Sequence, residues 1–126
     1  MKITAIIIIN GSPEYVKDSL SSLVDYVDEI IIGDVGMTYK IPAEIEKKVN
    51  IKTVKLSSSI PFADLVKEDL KKEASGEYIL YIDPDEIIQE ELWKILKEKM
   101  EEFDYFFNTK EKYYFWKMGP NCQMVA

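Results

Sequence analysis

The sequence predicts an α/β fold: a mostly parallel sheet with helices on both faces and a small antiparallel edge. Strand-like and helix-like patterns alternate from the first residues to about residue 102. The apolar runs Ile3–Ile9 and Tyr78–Ile82 are unbroken, which is typical of parallel strands covered on both faces. Parallel neighbours need crossover connections, so the alternation predicts right-handed βαβ units. Aromatic segments after residue 102 predict antiparallel strands at one edge.

The first half of the chain predicts three strands, each entered or left through a helix. Ile3–Ile9 is the first strand, and Ser12, Pro13 and Glu14 are residue types that favour a helix start. Apolar residues then recur at helical spacing to about residue 25. The elements expected next are a strand over 28–34, a loop over 34–40, a short charged helix over 42–48 and a strand over 50–55.

The second half predicts the central strand and the elements around it. Pro61 opens a helix that runs towards Gly76, a residue type suited to a helix C-cap. Tyr78–Ile82 is the central strand, and Pro84 ends it because proline cannot donate to a sheet ladder. The remaining elements are a helix from Gln89 to about Glu102 and strands over 103–108 and 113–118.

The composition narrows the chemistry that the chain can perform. Its 126 residues carry a net charge of −7, with no histidine and no arginine, so all 16 cations are lysines. This acidic balance argues against nucleic acid as a partner, because a phosphate backbone needs a concentrated basic face. Histidine catalysis and bidentate phosphate binding by arginine are excluded. Carboxylates, lysine, tyrosine, hydroxyls, amides and backbone groups remain.

The single cysteine and the apolar segments indicate in which cellular compartment the protein is expected. Cys122 has no partner for an internal disulfide, which fits a cytoplasmic location. Ile3–Ile9 is far shorter than the ~20 apolar residues of a membrane span and lacks a small-residue cleavage site. We therefore expect neither a membrane span nor a signal peptide. Many Lys, Glu and Ile with few Gly also resemble the composition of thermophile proteins.

Carboxylates follow the central strand directly. Asp83, Asp85 and Glu86 surround a proline at the carboxyl end of Tyr78–Ile82, where open α/β sheets bind ligands. Acids this close repel one another, and a hard divalent cation with oxygen ligands relieves that repulsion. The alternative is a purely structural acidic turn before a helix N-terminus, which favours negative charge.

Two further polar residues end predicted strands and favour the ligand interpretation. Asn10 follows the first strand and Asp34 the second. In a parallel sheet these ends and that of the central strand meet on one rim. The local alternatives are a loop-capping role for Asp34 and a turn or helix-start role for Asn10 and Glu14.

At this point the residues resemble a known family. The first strand with its polar loop, the stretch Asp28–Thr38 and the stretch Ala74–Glu86 (Ala-Ser-Gly-Glu-Tyr-Ile-Leu-Tyr-Ile-Asp-Pro-Asp-Glu) are similar to glycosyltransferase family 2. The branch most similar is that of lipopolysaccharide-core glucosyltransferases, here in a short or truncated form. Trp116–Gln123 resembles, in degenerate form, a stretch that lies further along the sequences of that branch. The resemblance implies the GT-A fold, a Rossmann-like fold of nucleotide-diphospho-sugar transferases.

The resemblance also implies a UDP- or GDP-linked sugar as the donor. Asp34 would read the base edge, helped by Asn10 or Glu14, although the Asn10–Glu14 stretch matches the family only loosely.

For the diphosphate, the resemblance implies a metal site of the Asp-x-Asp type. Asp85, with Asp83, would bind Mn²⁺ or Mg²⁺, and Asp83 would also hydrogen-bond the ribose. Lys67 would meet a phosphate as a point charge, with a solvated helix face as its alternative. The asparagine usual after that lysine is Glu68 in this chain.

The same resemblance implies one minimal GT-A-like domain over 1–126, with nucleotide-binding βα units over 1–102 and antiparallel strands over 103–126. An inverting transfer needs a general base after the metal motif, and the corresponding stretch has Asn121. Asp104 and Glu111 are the remaining downstream carboxylates, and neither is favoured. The catalytic residue is therefore unassigned.

Three functions remain open from the sequence. The first is a glycosyltransferase, a hexosyltransferase with an unknown acceptor. The second is a non-catalytic or degenerate nucleotide-sugar-binding module that acts through a partner. The third is a nucleotidyltransferase, which the lack of a glycine-rich basic loop after the first strand disfavours. An uncovered sheet edge with aromatic surface also fits a homodimer.

Overall fold

The computed structural model describes residues 2–56, 70–76 and 78–98 in full, together with the backbone of 99–102, 105–108 and 113–117. The described elements are β1 (Ile3–Gly11), α1 (Val16–Ser21), β2 (Glu29–Met37), α2 (Ala43–Lys48), β3 (Asn50–Lys55), β4 (Tyr78–Ile82), α3 (Glu90–Glu102), β5 (Tyr105–Asn108) and β6 (Tyr113–Lys117). Leu70 and Lys71 are also helical; the rest of the helix predicted from Pro61 lies outside the described residues. No helix of the described ranges is long and apolar enough to cross a membrane.

The strands form one six-stranded sheet in the order β3-β2-β1-β4-β6-β5. β3, β2, β1 and β4 are parallel, whereas β6 is antiparallel to both β4 and β5. Ile7 of β1 is paired with Ile32 of β2 on one side and with Ile82 of β4 on the other. The predicted parallel sheet with an antiparallel edge is therefore confirmed. β4 ends at the level of Ile7 and Ile32, whereas β1 and β2 continue beyond that level.

The unbroken apolar runs are explained by burial on both faces of the sheet. One face packs against α1, α2 and α3, through residues such as Leu20, Ile45 and Trp93. The other face packs Ile6, Ile31, Ile79 and Tyr81 around Leu70. Because successive side chains of a strand point to opposite faces, a strand covered twice needs apolar residues at every position.

β1 and β2 are longer than the sequence predicts. The expected ends were Ile9 and Asp34, but the strands run to Gly11 and Met37, which are paired with each other. The register shifts between Ile9 and Gly11, and Gly11 has a φ of 66° while Gly36 has a φ of 79°. Glycine adopts these left-handed conformations at little cost, so the two strands bend and stay paired beyond the regular ladder.

The start of α1 also differs from the prediction. Ser12 does not cap the helix; its N-cap is Tyr15, without a side-chain cap hydrogen bond, and regular helix ends at Ser21. The longer β1 is the physical reason, because the segment 12–15 is used to turn the chain back over the edge of the sheet.

A buried carboxylate fastens the amino edge of the sheet. Glu29 is 5% exposed, and its Oε1 accepts hydrogen bonds from Thr4 Oγ1 at 2.9 Å and from the Ser75 backbone N–H at 2.8 Å. Its Oε2 accepts one from Ser75 Oγ at 2.8 Å. Burial by itself raises the pKa of Glu29, but the Ser75 and Thr4 hydrogen bonds and the nearby Lys52 outweigh it and leave the pKa below its ordinary value.

Gly76 belongs to the same network and is not the helix C-cap that the sequence predicts. Its N–H donates to Thr4 Oγ1 at 2.9 Å, and it is buried. A Cβ at Gly76 would lie 2.6 Å from Thr4 Oγ1 and 2.8 Å from the Thr4 backbone nitrogen. The glycine is therefore required for close approach of two backbones, several residues after the helix has ended at Lys71.

We predict that Gly76→Ala lowers the free energy of unfolding by about 3 kcal/mol, since the added methyl group meets backbone that cannot move aside. Denaturant unfolding measures this. Gly11→Ala is the control: nothing lies within 4 Å of its Cβ position, so only the positive φ of 66° opposes the change. That should cost roughly 1–2 kcal/mol, and an equal loss in both variants would contradict the packing argument.

A second prediction concerns pH. Because the folded-state pKa of Glu29 lies below its ordinary value of 4.5, its stabilisation is complete above that pH and is lost as the pH falls through the folded pKa. Glu29→Gln should cost about 1–3 kcal/mol at pH 7, because one amide oxygen cannot accept all three hydrogen bonds. Unfolding midpoints between about pH 7 and pH 3 should converge for the two proteins at low pH; a constant gap would refute this assignment.

Candidate functional site

The carboxyl edge of the sheet brings the predicted polar residues together. Asp34 is paired with Ile9, the residue before Asn10, and Asp83 directly follows the Ile82 that is paired with Ile7. β2 and β4 flank β1, so Asp34 and Asp83 are separated laterally by two strand spacings, about 10 Å. Asn10 and Asp83 are exposed, and Asp34 is half-buried. The predicted convergence of these residues on the carboxyl side of the sheet is confirmed, but Asn10 and Asp34 lie within β1 and β2 and not after them.

Asp34 stabilises the end of β2, from which the loop with Thr38 and Tyr39 starts. Its Oδ1 accepts a hydrogen bond of 2.6 Å from the Met37 backbone N–H. Gly11 O accepts hydrogen bonds from Thr38 N at 2.9 Å and from Tyr39 N at 3.2 Å, which ties this loop to the end of β1. The local capping role is therefore real for one oxygen of Asp34.

Asn10 lies against the end of β2. Its Oδ1 is 3.5 Å from the position that a Cβ of Gly36 would occupy. Glu14 is exposed in the turn between β1 and α1, which starts from the same edge. Asn10 and the Asp34–Met37 end of β2 therefore form one continuous rim.

Residues Asp83–Glu86 form a closed turn after β4. The Glu86 N–H donates to Asp83 O at 3.0 Å, and Glu86 Oε1 accepts from the Asp83 N–H at 2.9 Å. Pro84 takes the second position of the turn, where its fixed φ is favoured. Glu86 therefore stabilises the turn through hydrogen bonds, whereas Asp83 and Asp85 are exposed at its surface.

The acidic turn alone does not make a complete metal cage. Among the described residues, no group of three or more Asp, Glu, His or Cys side chains is placed to hold a metal ion. Asp83 and Asp85 nevertheless supply the oxygen donors that suit Mg²⁺ or Mn²⁺. Such ions are often held by one or two carboxylates and complete their coordination with substrate phosphates and water. The residues therefore fit a metal that binds together with a phosphorylated ligand.

No sequence pattern indicates the residues that attach this turn to α1 and to the residue after it. Ser19 Oγ lies 3.4 Å from Asp83 O, and Ser22 Oγ accepts a hydrogen bond of 3.2 Å from the Ile88 N–H. Both serines look like ordinary polar positions of an amphipathic helix. Only their partners, more than 60 residues away, give them a role.

Several predicted residues lie outside the described residues. They are Lys67, the phosphate candidate, and Asp104, Glu111, Asn121 and Cys122. Their assignments stay predictions.

Solved structures with a similar fold include complexes with nucleotide sugars. Residues 1–349 of TarS from S. aureus superimpose with a TM-score of 0.65 and 27% identity, over 83% of this chain and 34% of that fragment. The UDP-GlcNAc complex of the same fragment gives a TM-score of 0.64 with 27% identity, over 83% of this chain and 32% of the fragment. Mannosyltransferase PcManGT from Pyrobaculum calidifontis, with GDP-Man and Mn²⁺, gives 0.60 at 17% identity over 76% of this chain and 31% of the enzyme.

The fold is GT-A. These structural neighbours are glycosyltransferases, and the chain spans about a third of the length of each. No protein-family model matches the chain, and no curated protein matches its sequence. The GT-A fold expected from the resemblance is therefore confirmed.

A substitution pair separates the local role of Asp34 from any role towards a ligand. Asp34→Ala should lower the free energy of unfolding by about 1 kcal/mol, because the Met37 N–H loses its acceptor. Asp34→Asn keeps an oxygen for that N–H and should cost clearly less. Thermal unfolding of both variants checks this, and equal losses would show that the Met37 hydrogen bond is not what Asp34 contributes.

Proposed function

We propose that this chain binds a nucleoside-diphosphate sugar together with a divalent cation, as the donor site of a glycosyltransferase that transfers a hexose to an acceptor. The observation that carries the proposal is the meeting of Asp34, Asp83 and Asp85 at the carboxyl edge of a GT-A sheet. Similar folds bind UDP-GlcNAc, and GDP-Man with Mn²⁺, in TarS and PcManGT respectively.

Asp34 is proposed to recognise the base. One oxygen is used by the Met37 N–H, and the carboxylate still has lone pairs to accept an N–H of uracil or guanine. Both bases present such a donor, so a UDP- or a GDP-linked sugar satisfies this contact. Asn10 and Glu14, on the same rim, are proposed to assist the binding of the nucleoside.

Asp85 and Asp83 are proposed to hold Mn²⁺ or Mg²⁺. A diphosphate would meet exposed carboxylates on a chain of net charge −7, and this repulsion must be offset for it to bind. A cation held by Asp85 and Asp83 would offset the negative charge of the diphosphate and would stabilise it as a leaving group. Asp83 is also proposed to hydrogen-bond the ribose. Lys67 remains the candidate for a direct phosphate contact.

The finer assignments are part of the same proposal. They comprise membership of glycosyltransferase family 2 near the lipopolysaccharide-core branch, one domain over 1–126, a cytoplasmic location and a homodimer. The resemblance of Asp28–Thr38 and Ala74–Glu86 supports the first, and the single cysteine supports the location.

We predict that UDP-GlcNAc or GDP-mannose with Mn²⁺ raises the melting temperature by several degrees at saturating concentration, because the ligand binds only the folded state. Asp85→Ala should abolish the rise by removing a metal ligand. Asp25→Ala, which removes an equally exposed charge near the opposite edge of the sheet, should keep it. Differential scanning fluorimetry measures all three proteins.

Two outcomes would change the proposal. No shift with any common nucleotide sugar would reject nucleotide-sugar binding. A shift without sugar release or transfer, in hydrolysis assays with and without acceptors, would favour the non-catalytic binding module over the enzyme.

A further inference from the structure

We propose that Ser19 of α1 and Ser22, the C-cap residue of that helix, are positioning residues that hold the Asp83–Ile88 segment, and with it the carboxylates of Asp83 and Asp85, in the geometry that a metal–diphosphate ligand requires. This inference rests on the proposed function for its ligand. The arrangement of the two serines is a feature of the structure itself.

Ser19 is fully buried, at 0% exposure, on the face of α1 that also buries Val16 and Leu20. A hydroxyl in such a place is costly unless it finds a partner. Its Oγ is directed at Asp83 O, at 3.4 Å, and that carbonyl also accepts the Glu86 N–H which closes the turn. Ser19 therefore holds the start of the acidic turn against α1.

Ser22 holds the other end of the segment. Its Oγ donates to Ser19 O at 2.7 Å and accepts from the Ile88 N–H at 3.2 Å, so both functions of the hydroxyl are satisfied. Its backbone carbonyl accepts a hydrogen bond of 3.1 Å from Trp93 Nε1. Trp93 is 1% exposed and stacks on Tyr26 with ring centroids 4.8 Å apart. The beginning of α3 is therefore held against the turn that follows α1.

The contact of Ser19 with Asp83 and the contact of Ser22 with Ile88 lie on either side of Asp85 in the chain. The residues between them are a turn with exposed carboxylates at Asp83 and Asp85, so their position depends on where the backbone is held. Like charges at Asp83 and Asp85 repel each other before a cation arrives, which favours opening of the turn. The serine anchors oppose this opening and keep the carboxylates preorganised for the ligand.

The test compares serine variants at the two edges of the sheet. Ser22→Ala and Ser19→Ala should weaken Mn²⁺ binding in the presence of UDP by about tenfold, as loss of supporting contacts around metal ligands commonly does. Ser22→Thr, which keeps the hydroxyl, should stay within about twofold of the wild type. Titration followed by Mn²⁺ electron paramagnetic resonance gives these affinities.

Two further serines serve as controls. Ser75→Ala removes the hydrogen bond from Ser75 Oγ to Glu29 Oε2 at the amino edge, so it should lower the melting temperature without changing Mn²⁺–UDP affinity. Ser21→Ala alters an exposed position of the same helix and should change neither. Equal loss of affinity in Ser22→Ala and Ser75→Ala would mean that general destabilisation is responsible, and it would overturn the positioning role.

A second measurement does not depend on any ligand. Hydrogen exchange of the Glu86 amide, which is bonded to Asp83 O and not to either serine, should be faster by about tenfold in Ser22→Ala and unchanged in Ser75→Ala. Unchanged exchange in Ser22→Ala would refute the positioning role. Wild-type protein that binds neither Mn²⁺ nor UDP would refute the proposed function, and Glu86 exchange would then still decide whether the serines hold the turn.

Discussion

The register of three buried parallel strands is the constraint on which the rest of the structure depends. Ile7 is paired with both Ile32 and Ile82, and both faces of these strands are covered. A slip of one residue would turn every side chain to the opposite face, so the packing fixes the register. The fixed register places Asp34 of β2 and Asp83, the residue after β4, at nearly the same level of the sheet, on its carboxyl side.

The two edges of the sheet use the same chemical group for different purposes. At the amino edge, Glu29 is buried and accepts hydrogen bonds from Thr4 and Ser75, so its negative charge is stabilised by fixed donors. At the carboxyl edge, Asp83 and Asp85 are exposed and close in sequence, and their charge is open to a cation from solvent. Environment, not residue type, separates a structural carboxylate from a candidate ligand.

The acidic turn is stabilised mainly through its backbone. Glu86 closes the turn through its own hydrogen bonds to Asp83, Ser19 of α1 contacts Asp83 O, and Ser22, the C-cap of α1, accepts from the Ile88 N–H after the turn. An exposed ligand side chain gains little order from packing, so the precision of such a site has to come from the residues behind it. α1 thus has two functions: it covers one face of the sheet and supports the candidate metal site.

The sequence by itself determined the fold class and the location of the candidate site. Continuous apolar runs specify doubly covered strands, and the polar residue that follows each run must lie at the carboxyl edge. Only the tertiary structure decided the extension of β1 and β2 to Gly11 and Met37, the packing of Gly76 on Thr4, and the anchoring of the acidic turn by Ser22. Those features depend on contacts between residues far apart in the chain, and local residue preferences carry no information about such partners.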